Sequence, residues 1–372
     1  TSKMNLRKRT IGAYASPAIP IAALGLPLVV YLPPFYTKEM GLGLSVVGTI
    51  FMITRFWDIF TDPILGIVSD KIETRLGRRR HWIILSVPIL MFCVYKIFIP
   101  QGTVTGMYLL FWMILLYVGW TLLSISHMSW GAELSSDYNE RSRVQGWREY
   151  ALVFGMLAVL ILPTIIEQTS DGNSTMKVAA MGWFTILLLP ITVAIAVWMV
   201  PEHPVPKQPQ IGWRRATSIV VKNKVLIRLL AADLLSGVAP GITGSIYIFF
   251  VSHVMELSQW ASLMLLIYFL ASFISVPGWI RLSYRFEKHR TFVIARVYSS
   301  ISLLLMFWIQ PGNFWLYAFG NVIFGLGSGA GAFLTRSMMA DIVDRDNLES
   351  GTQRTGLYYS LMTMTNKIGY DM

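Results

Sequence analysis

The chain has 372 residues, of which 54% are hydrophobic and only 14% charged, and its mean hydropathy is +0.55. A water-soluble fold of this size needs far more charge to cover its surface, so the composition excludes one and requires a polytopic membrane protein. The net charge of +11 would suggest a nucleic-acid partner, but the basic residues fall in alternate loops, where they set topology, and no nucleic acid is expected.

Apolar runs of about 20 residues read as membrane-spanning helices. Eleven are expected, over roughly residues 14–36, 45–70, 82–100, 106–135, 143–166, 179–200, 228–252, 259–280, 290–309, 314–340 and 355–372. Before the first comes a basic tail (Lys3, Arg7, Lys8, Arg9) with no small-residue cleavage site behind it, which reads as an uncleaved cytoplasmic segment. The first span carries Pro17, Pro20, Pro27, Pro33 and Pro34, enough to break it and suit it to lining a cavity.

The second span holds the main chemical signal. Asp58 and Asp62 are four residues apart, so they share one helix face. A carboxylate at bilayer depth costs about 2.5–3.5 kcal/mol on insertion scales, and two together call for a function. Pro63 has no N–H to donate, which frees the carbonyl of Ile59 beside them. Two carboxylates and a carbonyl offer oxygen ligands to Na+ or a proton, so both aspartates are candidate cation ligands. The competing reading for Asp58 is a structural pair with Arg55, three residues earlier. Lys71, Arg75, Arg78, Arg79 and Arg80 then close the span with a basic turn.

The third span contains Cys93, the single cysteine, so no intramolecular disulfide is possible. His127 lies in the fourth, where it can titrate, donate to a substrate or be bonded within the bundle. At the start of the fifth, Arg148 can pair with Glu149 or Glu133, or grip a carboxylate, sulfonate or phosphate. The Pro-rich, basic stretch after the sixth span reads as a cytoplasmic linker over 201–227, between a half at 1–200 carrying the cation site and an incomplete half at 228–372. In the seventh span Asp233 follows Arg228 by five residues, and in the tenth Arg336 precedes Asp341 by five; both spacings suggest structural pairs. Gly325, Gly327, Gly329 and Gly331 give the tenth span a smooth face. Lys367 lies among apolar residues of the eleventh, where an ammonium needs a partner. That span runs off the end of the sequence, so a twelfth is expected to be absent or truncated.

The lysine and arginine residues gather in the tail and after the second, sixth and eighth spans, with more at the start of the fifth. The intervening loops hold Lys38 and Lys177. This bias places the N-terminus inside. The fold class expected is an all-α polytopic membrane protein in two six-helix halves. No P-loop, metal-ligand spacing or serine triad appears, so no enzyme activity and no cofactor beyond a coupling cation are expected.

The run RxxWDxxxDPxxGxxxD…GRRRxW from Arg55 to Trp82 resembles the glycoside–pentoside–hexuronide:cation symporters of the major facilitator superfamily (melibiose permease-like). The segments Trp130–Arg143 and Met339–Tyr358 are similar to that family's links after the fourth and tenth helices. The resemblance covers nearly the whole chain. It implies the major facilitator fold and Na+- or H+-coupled symport of a sugar or glycoside by alternating access, in a monomer in the cell membrane. By the same resemblance Asp58 and Asp62 are the cation ligands and Lys367 the coupling residue. Trp130 and Arg148, with Ser126, His127 and Trp120 on the fourth helix, are the substrate-site candidates. Ala22 and Ser126 stand where melibiose permease has sugar-binding carboxylates, and Leu122 and Leu123 where hydroxyl ligands are expected. Losing carboxylates while keeping Arg148, Lys367 and His127 favours an anionic sugar, a hexuronide or sulfonated sugar. A lysolipid or other anionic amphiphile is the alternative.

Overall fold

A computed structural model describes residues 6–72, 74–135, 138–170, 173–202, 218, 221–350 and 355–371. Much of the expected linker, including Lys207, Arg214 and Arg215, lies outside the described residues, as do Lys3, Ser136, Asp137 and Gly351. Among the described residues there are fourteen α-helices, two single-turn 3₁₀ helices and no β-strand. They belong to two compact units, Thr1–Pro206 and Lys207–Met372.

The first unit contains α1 (Lys8–Ala15), α2 (Ala18–Val30), α3 (Leu32–Lys38), α4 (Leu44–Lys71), α5 (Arg80–Phe98), α6 (Gly106–Glu133), α7 (Tyr138–Thr169) and α8 (Ser174–Met199). The second contains α9 (Lys224–His253), α10 (Ala261–Phe286), α11 (Lys288–Leu305), α12 (Phe314–Ser328), α13 (Gly331–Ser350) and α14 (Thr355–Asp371). Local chemistry sets several starts. The side chains of Thr105, Asn173, Asn223 and Asn313 accept the first free N–H groups of α6, α8, α9 and α12 at 3.0–3.2 Å. The proline-rich first span breaks at Ser16–Pro17 and again at Tyr31, giving α1, α2 and α3. Pro63, Pro88, Pro163, Pro190, Pro240 and Pro277 sit inside continuous helices, each leaving one carbonyl without its usual donor.

Nine helical segments among the described residues are long and apolar enough to cross a membrane, the first being Lys8–Val30 and the last Lys288–Trp308. Two expected spans differ from the sequence reading. The tenth divides at Gly329–Ala330 into α12 and α13, because glycine weakens helix where it clusters. Its glycines also serve two neighbours rather than one face. Gly325 and Gly329 lie against the backbone of α10 at Tyr268 and Ser272, while Gly327 and Gly331 make room for Tyr298 and Arg296 of α11. The eleventh appears as α14, which is too polar and short to join the nine. Exposed side chains such as Phe92, Leu187 and Trp198 face where lipid belongs.

The first unit is built on pairwise packing of α2 with α7, α4 with α6, and α5 with α6 and α8. At one end of α7 and α8, Lys177 donates to Glu167 at 3.0 Å with both side chains buried. In the second unit α9 packs along α14, and α12 lies against α10 and α11. Lys288 donates to both carboxylate oxygens of Asp341 at 2.7 Å. The partner suggested for Asp341 by sequence was Arg336; a residue 53 positions away on another helix reaches it instead.

Candidate functional site

The cation-site candidates stand midway along α4. Asp58 is 3% exposed and Asp62 half-buried. The hydroxyl of Thr121 on α6 donates to Oδ1 of Asp58 at 2.6 Å. The family resemblance puts hydroxyl ligands at the positions of Leu122 and Leu123 and does not point to Thr121. Those two leucines are buried apolar packing, and the hydroxyl comes from the preceding residue. Thr121 is one of several hydroxyls on this helix, with Ser124, Ser126 and Ser129, and the sequence does not single it out. Thr61 bonds back to the carbonyl of Asp58 at 3.2 Å, and Pro63 inside α4 leaves the Ile59 carbonyl without its helical donor. Carboxylate, hydroxyl and carbonyl oxygens are a fitting donor set for a small hard monovalent cation or a proton.

Residues on the other side of α6 build a second cluster. Trp120, Ser126, His127 and Trp130 all belong to α6, and successive helical residues turn by about 100°, which puts Trp130 opposite Thr121. His127 is fully buried. Its Nε2 lies 2.6 Å from the carbonyl of Tyr14 on α1, so this nitrogen carries the proton, and Nδ1 accepts from Nε of Arg148 on α7 at 3.3 Å. The Tyr14 hydroxyl returns a bond to the His127 carbonyl at 2.9 Å, and the two rings stack at 4.5 Å. Among the readings open for His127, the structure shows it bonded within the bundle through both nitrogens. Gly131 makes this possible: a Cβ there would overlap the Tyr14 phenol.

Arg148 is 8% exposed and also lies 3.8 Å from Glu149. Glu133, the other partner considered for it, is taken by Arg79 at 2.8 Å. The ring of Trp130 meets Tyr14 edge-on at 6.1 Å, and the Arg80 guanidinium lies 5.7 Å from the ring centroid. Among the described residues the indole N–H groups of Trp120 and Trp130 and the hydroxyl of Ser126 are buried without a hydrogen-bond partner. Three such orphaned groups on one helix are uncommon, since buried polar atoms are nearly always satisfied.

The basic turn after α4 is fastened rather than loose. Arg79 is buried, donating to Glu133 and to the Ser69 hydroxyl at 3.2 Å. Glu202 accepts the backbone N–H of Arg79 at 2.6 Å and of Arg80 at 3.4 Å, and Arg80 bonds the carbonyl of Val200. Lys367 lies on α14 in the second unit, half-buried. Asp233 of α9 is 2% exposed; its bonds come from Thr365 at 3.2 Å and Asn366 at 3.5 Å, both on α14, whereas the sequence had suggested Arg228 on its own helix.

Comparison with known proteins gives this geometry a family. YagG of Escherichia coli (strain K12) is 26% identical over 345 residues, covering 90% of this chain and 74% of that protein. The isoprimeverose transporter of Lactiplantibacillus pentosus is 22% identical, covering 91% and 72% respectively. The glucuronide carrier protein homolog of Escherichia coli (strain K12) is 23% identical, covering 91% and 76%. Among solved structures the nucleoside transporter NupG superposes with a TM-score of 0.68 over 98% of this chain and 89% of its own; at 14% identity that likeness concerns the fold alone. The family model described as MFS/sugar transport protein matches residues 13–370, so this chain is a multi-pass membrane transporter of the MFS/sugar transport protein family.

Proposed function

We propose that the chain is a cation-coupled secondary symporter that moves a sugar or glycoside across the cell membrane by alternating access. The observation that carries this reading is Asp58, a carboxylate buried in the middle of a spanning helix and held by a hydroxyl from a second one. A carboxylate at that depth is costly to bury, and a second one, Asp62, one turn away on the same helix face supports a role in ion movement. Asp58 and Asp62 bind Na+ or H+, and Lys367 couples that event to substrate binding. The orphaned donors of Trp120, Ser126 and Trp130 supply hydrogen bonds suited to a polyhydroxylated ligand, and indole rings suit the apolar face of a sugar. Arg148 adds a positive charge beside them, which favours an acidic sugar; a relative named as a glucuronide carrier homolog supports that choice. The Lys/Arg bias of the loops supports a cytoplasmic N-terminus.

The test is uptake into liposomes reconstituted with purified protein, using labelled neutral glycosides and hexuronides under an imposed Na+ or proton gradient. Uphill accumulation is expected in wild type and its loss in Asp58→Asn and in Asp62→Asn, with both variants still folded. Unchanged accumulation in the two variants overturns the assignment.

A further inference from the structure

Asp233 is a buried carboxylate for which the transport reading has no use. It lies nine residues into α9, about 14 Å along the helix, and Thr365 lies ten residues into α14, about 15 Å along. The two helices therefore meet at matching depth. Burying a charge there is unfavourable unless it is bonded and compensated. Thr365 donates to Oδ2 and Asn366 to Oδ1, while Thr335 and the positive charge of Arg336, both on α13, act on the same group. Arg228 on α9 and Lys367 on α14 are the other charged side chains nearby in sequence.

The same face of α14 carries two more attachments. Tyr358 and Met362 belong to one apolar cluster with Leu226, Leu229 and Leu230 of α9. Gly369 lies so close to α9 that a Cβ there would meet the Leu234 carbonyl and come within 3.1 Å of the Gly237 Cα. At 100° per residue, positions 358, 362, 365, 366 and 369 form one stripe, and Lys367 falls about 160° from its centre. It lies between Thr363 and Met364, which are both exposed within this unit. The rotation of α14 about its axis therefore decides where the Lys367 ammonium points. Apolar packing tolerates small rotations. Hydrogen bonds do not: turning by about 20° sweeps an atom some 6 Å from the axis through about 2 Å, past bonding range.

We propose that Asp233 is a positioning residue for cation coupling, which fixes the rotation of α14 through Thr365 and Asn366 and so aims Lys367. This rests on the reading of Lys367 as the coupling residue. It makes Asp233 neither a ligand of the cation nor a contact of the substrate.

The rotation is read directly. On a Cys93→Ala background, single cysteines are placed at each position from Met362 to Lys367 of the full-length protein, and maleimide labelling rates are compared. Labelling is expected to peak at Thr363, Met364 and Lys367, and to shift or flatten across the turn when Asp233→Leu is added. Thr365→Val, which cuts the clamp from the other helix, is expected to produce the same change should Asp233→Leu fail to fold. An unchanged pattern in either folded variant overturns the proposal.

Coupling is read separately, as the gain in affinity for methyl glucuronide or a neutral methyl glycoside on adding saturating Na+ or lowering the pH. Asp233→Asn and Lys367→Ala are each expected to reduce a gain of about 5–150-fold to less than about twofold, and the double variant to match Lys367→Ala. Losses that multiply in the double variant would show that Asp233 acts independently, which also overturns it. A normal gain in Lys367→Ala beside a shifted labelling pattern refutes the coupling role of Lys367, while leaving the control of rotation by Asp233 standing.

Discussion

A single hydroxyl carries much of the first unit's chemistry. Thr121 reaches Asp58 from a different helix, so it both satisfies a buried carboxylate and joins α4 to α6. Removing it leaves that oxygen short of a donor, and losing a bond to a charged group costs about 1.5–3 kcal/mol. Thr121→Val is therefore expected to lower stability by about that amount, measured by thermal unfolding in detergent, while Thr121→Ser keeps most of it. Equal melting of Val and wild type would mean that the bond contributes nothing. His127 shows the opposite case, a residue whose type suggested titration but whose two nitrogens are already engaged by Tyr14 and Arg148. The Thr121–Asp58 bond was not legible in the sequence, and for His127 bonding within the bundle was one of the readings left open. Which way a side chain points around a helix depends on the neighbour it packs against, and Tyr14 and His127 are 113 residues apart.

At the scale of helices, what composition determines was readable and what contact determines was not. Spans follow from runs of apolar residues, so the helices through α11 lie close to where hydropathy put them. The division of the tenth at Gly329–Ala330 escaped, because whether a glycine-rich helix bends or breaks depends on the two helices it must fit between. Pairing across helices escaped too: Lys288 and Asp341 meet over 53 residues. The buried pair of Glu167 on α7 and Lys177 on α8 permits a quantitative test. Breaking such a pair from one side leaves an uncompensated charge and costs about 3–5 kcal/mol, whereas replacing both partners by apolar residues is often neutral. Lys177→Met should destabilise strongly in detergent unfolding, and adding Glu167→Met should recover most of the loss. A double variant no better than the single would show that the pair is not the source of the effect.

Across the whole molecule, net charge and topology are one matter. Cys93 is buried, so a cysteine introduced at Gln208 can report alone on the side occupied by the linker. In intact cells it is expected to resist an impermeant maleimide added outside and to label once the membrane is opened. Labelling from outside would invert the map. The fastened basic turn has a further consequence, in the order of synthesis. Glu202 grips the backbone of Arg79 across 123 residues, and Arg80 reaches Val200 across 120. At about 5–20 residues per second, a ribosome needs on the order of ten seconds to make the second partner after the first. During that interval Arg78, Arg79 and Arg80 emerge before Glu133 and Glu202 exist, so their positive charge is not yet matched by these two carboxylates. Only when the eighth helix is complete do the same residues become a clasp. On the proposed cytoplasmic orientation the arginines serve first as an address during insertion and afterwards as a joint, and a substitution such as Glu202→Gln is expected to weaken the joint without changing the address.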